Sequence, residues 1–565
     1  MIYRIADNIT SPIGETTEEN YRAVKAGKSA LCRYEHRWGL PEPFCASLFD
    51  EAQNRSMATD GLTRFESLAL ASARKAVQEA KIDASADNVV FILSTTKGNI
   101  ELIFDEQAAD ADIYPGTAAR HIAERIGVTT TPLTVCNACI SGVSAIVLAQ
   151  RLLEAGRFDY AIVCGADTQN KFTVSGFQSL KAVSEAPCRP FDLERLGLNL
   201  GEAAATIVFA RKAEGKQWAV ESGAVRNDAF HISSPSKNGE GATLALAAAA
   251  GATDTSRLAF VNAHGTATMF NDQMESVAIG RAGLAHVPVN AYKGYYGHTL
   301  GAAGVLETVL SMAAADDHTV LATKGFGELG VSGKVMLSAQ HLATDKESFV
   351  KMISGFGGCN GAILVTKHAT EREKTPQNMT ISHRVRLTPT EVVADGKPLA
   401  FNDTGAPLLT EIYKRCVGDY PKYYKMDGLS RLGFVASELL LKAEGERSGC
   451  ATDDRAVILF NRSSSIVADR KYCESIIHEE DFFPSPAAFV YTLPNIVTGE
   501  IAMRNQYHGE TSFYMTDRRD NVLMEQVLRA SLDGQGTKSI IGGWVDYQDD
   551  SHFEADIAIY EPTSK

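Results

Sequence analysis

Short unbroken apolar runs alternate along this chain with stretches in which apolar residues recur every three to four positions. Asn88-Val-Val-Phe-Ile-Leu93, Asp159-Tyr-Ala-Ile-Val-Cys-Gly165 and Ala205-Thr-Ile-Val-Phe-Ala210 have the length and continuity of buried strands, and Leu258–Ala263 and Val287–Ala291 read the same way. Helical spacing appears over Tyr21–Lys28, Arg64–Ala80, Ala118–Ile126, the alanine-rich residues 241–251 and the segment carrying Glu307. A strand-like run from Leu133 is expected to end at Cys139, with an amphipathic helix following at once. Strands that alternate with helices imply a largely parallel sheet covered on both faces, an α/β class. Ile353–Gly361 is glycine-rich and predicts a loop that can bring backbone N–H groups close to a ligand.

Near residue 370 the text turns polar, charged and proline-containing, which predicts a linker over 370–380 between a domain at 1–369 and a second one at 381–565. The second domain repeats the first in outline. Asp427-Gly-Leu-Ser-Arg431 and the helix pattern after it match Asp60-Gly-Leu-Thr-Arg64 and its helix. Val457–Phe460 then answers to Val90–Leu93, and Ser539–Asp546 to Tyr160–Asp167. The copy lacks chemistry: the place of Cys139 falls near Thr516-Asp517-Arg518, and His508 has no suitable partners.

Composition narrows the field. With 565 residues, 45% hydrophobic and 22% charged, the chain can bury a large core, and a net charge of -14 argues against sequence-independent nucleic-acid binding. No stretch has the apolar length of a membrane span, and the N-terminus lacks a signal-peptide core. The ten cysteines show no second pair that would complete a zinc site around Cys136-x-x-Cys139, so the reading is a cytoplasmic protein with reduced thiols, no metal and no cofactor.

Three residues stand where strands give out into turns. Cys139 precedes a helix, where unpaired N–H groups and the helix dipole favour a thiolate. His264 and His298 lie in glycine-flanked loops at strand ends, where open α/β sheets place ligand chemistry. A thiol with two imidazoles suits acyl transfer through a thioester.

Ala138-Cys139-Ile-Ser-Gly142, Arg189-Pro-Phe-Asp192, Gly201-Glu202, His264-Gly-Thr-Ala-Thr268 with Asn271-Asp272, Lys293 with Gly297-His298-Thr-Leu-Gly301, and Gly355-Phe356-Gly357-Gly358 follow one another over residues 1–370. In order and spacing they resemble the signatures of elongating β-ketoacyl-acyl-carrier-protein synthases, in the thiolase-like superfamily. The resemblance implies a thiolase-like fold layered α-β-α-β-α, with a partial thiolase-like α/β domain behind it. It also implies a decarboxylative condensation in which Cys139 takes the acyl group and His264 and His298 stabilise the enolate from malonyl carrier protein, in fatty-acid, polyene or polyketide elongation. Lys293, Glu307 and Asp272 would support the site, and Cys139, Phe356 and Gly357 would form the oxyanion hole and the gate between pockets. Expected partners are acyl- and malonyl-loaded acyl carrier protein, approached through Arg64, Arg74 or Lys75, and a second synthase-like subunit. That second subunit makes a homodimer or heterodimer, or is replaced by an intrachain pseudo-dimer using the C-terminal half-copy. Asn137, Ile140 and Cys359 depart from the family pattern, with Ile140 placed to reshape the acyl pocket or dimer surface. The competing readings are a noncatalytic partner of the chain-length-factor kind and a thiolase or transferase acting on coenzyme A esters. The intact Cys-His-His set disfavours the first.

Overall fold

The alternating pattern closes into two stacked sheets with helices inside, outside and between them. The computed structural model describes residues 1–213, 215–251, 253–369, 378–445, 453–477, 482–532 and 536–563. The first sheet runs Leu133–Val135, Val89–Ser94, Tyr160–Asp167, Ala203–Ala210, Ile2–Thr10, with the first three strands parallel and the last two antiparallel. The second runs Ala219–Asn227, Cys359–Thr366, Ser348–Gly355, Phe260–Asn262, Pro288–Asn290, Met336–Leu337.

Helices Ser141–Glu154 and Ala303–Asp316 lie between the sheets and are buried on nearly every face, which is why their sequences carry so few charges. They touch at Gly142 and Gly304, where a Cβ on Gly304 would stand 2.4 Å from the Val143 nitrogen, so only glycine allows this approach. Arg64–Ala80 and Pro115–Ile126 cover the outer face of the first sheet, and Glu240–Ala250 and Met269–Arg281 that of the second. The result is the α-β-α-β-α layering of the thiolase-like class.

Boundaries were legible where capping residues mark them. Arg64–Ala80 is the predicted helix, begun by a reciprocal Thr63–Glu66 cap and ended by Lys81 in the left-handed conformation. The first helix runs Thr17–Lys25 instead of 21–28, because Thr16 and Glu19 cap it earlier. The expected loop 353–361 is a tight hairpin in which Gly355 pairs with Cys359. Most of the expected linker lies outside the described residues, and its end is not linker: strand Met379–Leu387 begins at 379 and pairs with His552–Pro562.

The C-terminal unit repeats the first sheet strand for strand. Its order is Thr511–Met515, Arg455–Asn461, Ser539–Asp549, His552–Pro562, Met379–Leu387, with the same succession of parallel and antiparallel pairings. Local details repeat as well. Asp167 accepts hydrogen bonds from Thr95 Oγ1 at 2.7 Å and the Thr96 nitrogen at 3.0 Å, and Asp546 accepts from Ser463 Oγ at 2.7 Å and the Ser463 nitrogen at 2.9 Å. Gly98 and Ser464 both adopt the left-handed conformation, at φ 56° and 53°. Pairing registers put Phe460 in the place of Ser94, and Leu459, not Phe460, in the place of Leu93. The sequence match was therefore one residue out, and in a strand that slip exchanges the two faces.

The two units join edge to edge. Strand Leu133–Val135 pairs antiparallel with its counterpart Thr511–Met515, Val135 opposite Tyr514 and Thr134 opposite Met515, so the two sheets continue across the junction. Matching strands that pair antiparallel across an axis are the arrangement of a twofold dimer, here within one chain.

Candidate active site

Cys139 is held by a strained turn. The strand before it stops at Val135, four residues earlier than expected, because Asn137 turns away to the other unit and Ala138 takes φ 47°. Such a conformation costs a non-glycine residue roughly 1 kcal/mol and persists only where its neighbours fix it. Here Ser141 Oγ accepts from the Asn137 nitrogen at 2.8 Å and donates to the Ala138 carbonyl at 2.6 Å. Cys139 follows in a 3-10 turn that leads into helix Ser141–Glu154. The backbone N–H groups of Cys139 and Phe356 both lie close enough to the sulfur to favour its thiolate. Burial works against these groups and pushes the thiol up to about 12, outweighing Lys293 and both N–H groups.

His264, His298 and Cys139 come together, their ligating atoms all within 4.8 Å of one another. The two imidazoles meet edge to face with ring centres 4.9 Å apart. Burial, reinforced by Lys293, holds both well below the ordinary histidine range, so both are neutral near pH 7. The Leu300 nitrogen donates to His298 Nδ1 at 3.3 Å, which leaves the proton of the neutral ring on Nε2, and that atom meets no protein partner among the described residues. His264 Nδ1 is likewise unpartnered. Three ligands are one short of the four that close a structural metal site.

Lys293 and Glu307 form a buried pair at 2.8 Å, and Lys351 closes on the other oxygen of Glu307. Burial works to raise Glu307, but the two ammonium groups hold it below its ordinary value. Lys351 is drawn down to about 8, chiefly by burial. It also donates to the Ala263 carbonyl at 3.2 Å, next to His264. The sequence reading missed Lys351, though a lysine inside the apolar strand Ser348–Gly355 is a visible anomaly.

Asp272 receives the Phe191 nitrogen at 2.7 Å and the Ala267 nitrogen at 3.2 Å, tying the Arg189–Asp192 turn to the loop of His264. Glu275, also missed, receives the nitrogens of His264 and Gly265 at 2.7 and 2.8 Å. Burial pushes these carboxyls up to about 6 and about 7, Glu275 with help from its neighbour Asp272. Their spacing of three on helix Met269–Arg281 puts both on one face toward that loop.

Three expectations need correction. The Gly357 nitrogen donates to the Ile232 carbonyl at 2.6 Å, so Gly357 offers no oxyanion donor, and its part is the φ of 88° at the hairpin tip. Ile140 packs into the central core and lines neither cavity. Arg64 is spent on the buried Glu202 at 2.6 Å and on Glu101 at 3.3 Å, so it is structural and not a free docking cation, whereas Lys75 meets Glu15 at 3.1 Å on the surface.

Cys139, His264, His298 and Phe356 line a cavity of about 370 Å³, with the exposed side chains of Leu196, Met269 and Phe270 at its rim. Behind Phe356 a second cavity of about 20 Å³ touches Cys139, Lys97, Phe177 and, from the C-terminal unit, Phe489 and Leu493. No helix among the described residues is long and apolar enough to cross a membrane.

Comparison with known proteins covers Cys139, His264, Lys293, His298 and Glu307. The profile for "Beta-ketoacyl synthase, N-terminal domain" matches residues 5–215, and that for "Beta-ketoacyl synthase, C-terminal domain" matches 219–326. The chain is 29% identical over 407 residues to 3-oxoacyl-[acyl-carrier-protein] synthase 2 of Vibrio cholerae, covering 63% of this chain and 96% of that one. It is 28% identical over 344 residues to the putative polyketide beta-ketoacyl synthase 1 of Streptomyces cyaneus, covering 54% and 82%. Among solved structures, the ketosynthase ApeO in complex with its chain length factor ApeC from Xenorhabdus doucetiae is similar in fold, with a TM-score of 0.57, 24% identity, and 65% of this chain covering 97% of that one. The PfaC keto synthase-chain length factor structure is similar in fold over 100% of this chain and 78% of its own, with a TM-score of 0.75 at 13% identity.

Proposed function

The chain belongs to the β-ketoacyl synthase family, and from that premise we propose that it lengthens acyl chains by two carbons through decarboxylative condensation on Cys139. The observation that carries this reading is one thiol under two backbone N–H donors with two neutral imidazoles within 4.8 Å.

The Cys139 sulfur attacks the thioester carbonyl of an acyl carrier protein. The N–H groups of Cys139 and Phe356 hold the oxyanion that forms, and the departing carrier thiolate takes up the proton given up by Cys139. A preorganised pair of donors matters here because burial keeps the thiol protonated until substrate arrives. Malonyl carrier protein then binds in the same cavity. As its carboxylate leaves as carbon dioxide, Nε2–H of His298, together with His264, donates to the thioester oxygen and stabilises the enolate. The enolate carbon attacks the acyl-Cys139 carbonyl, the carbon–sulfur bond breaks, and a β-ketoacyl carrier protein is released. The neutral state of both rings is what this step requires, since each acts as a hydrogen-bond donor without bringing a charge of its own. Glu307 between Lys293 and Lys351, and Glu275 behind the His264 loop, hold the two imidazoles in place.

We read the C-terminal unit as a half-copy serving as a built-in dimer partner. The support is the repeated strand order and the antiparallel pairing of matching edge strands. With that edge occupied, the full chain is expected to be monomeric, at 60.9 kDa, in light scattering coupled to size exclusion. A reducing, cytoplasmic setting suits its nucleophilic thiol. Incubation with malonyl carrier protein and a ladder of acyl-carrier primers, read by mass spectrometry, tests the function. Products two carbons longer are expected, and turnover of acyl-CoA without malonyl decarboxylation would reject the reading.

A further inference from the structure

In the C-terminal unit the place of Cys139 falls at Arg518, yet one of that unit's side chains reaches the hairpin of Phe356. Asn495 is 1% exposed and stands at the start of helix Ile496–Asn505. An asparagine there ordinarily turns back to cap its own helix, a contact worth about 1 kcal/mol. Asn495 does not cap. Its Nδ2 crosses between the units and donates to the Phe356 carbonyl at 2.8 Å, and it lies 3.8 Å from Cys359 Sγ.

That peptide has one other strong tie, the Gly357 N–H on the Ile232 carbonyl at 2.6 Å, which leaves its carbonyl end to be fixed. Gly357 and Gly358, both at positive φ, make the tip, and their carbonyls accept from Asn227 Nδ2 and from the Asp228 nitrogen, each at 2.8 Å. The Phe356 carbonyl receives Asn495 and the weak donor Cys359 Sγ at 3.1 Å, whereas the peptide before Phe356 is set by the Gly355–Cys359 pairing. The first glycine of the tip is also pressed from the C-terminal unit: a Cβ on Gly499 would stand 2.6 Å from the Gly357 carbonyl. Asn495 Oδ1 has no partner among the described residues, so the amide is oriented by its one short bond to Phe356.

We infer that Asn495 is a positioning residue for acyl transfer to Cys139. By holding the carbonyl end of the peptide whose N–H end is held by Ile232, it fixes the backbone after Phe356, and with it the direction of the Phe356 N–H near the reacting sulfur. The inference rests on the proposed acyl transfer at Cys139. It assigns the C-terminal unit a part in the chemistry through one hydrogen bond, beyond filling a dimer edge.

The test uses the full chain with two substitutions. Asn495→Ala removes the donor. Asn495→Asp keeps the shape and suits a helix cap, but offers the Phe356 carbonyl no donor. Both are expected to slow formation of the acyl-enzyme, followed by intact mass, by about ten- to a hundredfold in kcat with little change in KM. Malonyl decarboxylation, which relies on the histidines, should stay within about threefold. Alkylation of Cys139 by iodoacetamide should move to higher pH in both variants, since a donor to the thiolate is lost. Wild-type loading in either variant with an unmoved alkylation profile overturns the inference, as does a loss of all three readouts in parallel with the melting temperature. A wild-type chain that neither loads nor extends acyl groups would instead overturn the functional reading, and the alkylation profile would still decide the part played by Asn495.

Discussion

The turns after Leu133–Val135 and Thr511–Met515 occupy matching places in two copies of one sheet, and only one of them carries chemistry. Through the shared pairing registers, Cys139 corresponds to Arg518. Cys139 is buried in a strained 3-10 turn under two N–H donors, while Arg518 is exposed. The N-terminal unit continues past its first sheet into a second one, which supplies His264, His298 and the Phe356 hairpin. The described residues of the C-terminal unit form the one sheet. A reactive turn on this fold needs the second sheet to wall it off and bring donors to it. Without that wall the same turn faces water and tolerates a charge.

Cys139→Ala gives the sharpest contrast. Condensation should fall by about four orders of magnitude while malonyl decarboxylation persists, measured as labelled carbon dioxide release. Retained chain extension would break the assignment. Next, His298→Ala should lower decarboxylation by about a hundredfold or more, because one preorganised donor to the enolate oxygen is lost. Acylation of Cys139 should change far less.

At the junction, Arg151 and Glu510 form a buried pair at 2.5 Å, one residue from each unit. Arg151→Leu leaves Glu510 charged and unpaired, so urea unfolding should show a loss of about 3 kcal/mol. A change under about 0.5 kcal/mol would mean that the units are coupled more weakly than their continuous sheet implies.

The matching carboxylates give a subtler test. Burial raises Asp167 from 3.8 to about 6. The folded chain therefore binds the extra proton between those values, and its stability from this group falls as pH rises through that window. Asp167→Asn should flatten the fall, seen in unfolding series at about pH 4 and 6, roughly the limits of the window. The smallest effect belongs to Arg120→Gln. Arg120 meets Asp517 across the junction at 3.1 Å but is more than a third exposed, and stability should change by less than about 0.5 kcal/mol.

Much of this was legible because it is local. Capping pairs such as Thr63 with Glu66 and apolar runs such as 89–94 announce their elements wherever they occur. The nucleophile and both histidines stood out because glycine-flanked loops at strand ends are written in a few adjacent residues. Strand Met379–Leu387 was missed because its exposed polar positions read as linker, and its partner His552–Pro562 lies far along the chain. Lys351, Glu275 and Asn495 were missed for a related reason: each acts on a site residue from a different element.

The chain read as a string was enough for the family and the fold class, and it singled out three residues that the structure brings within 4.8 Å of one another, since each is marked over a few neighbouring positions. Folding decided the rest. Whether the Cys139 thiol ionises, which tautomer His298 adopts, which N–H groups are free and which unit reaches Phe356 all depend on burial and on partners hundreds of residues away. Desolvation and hydrogen-bond geometry belong to the packed molecule, and no pattern of neighbouring residues contains them.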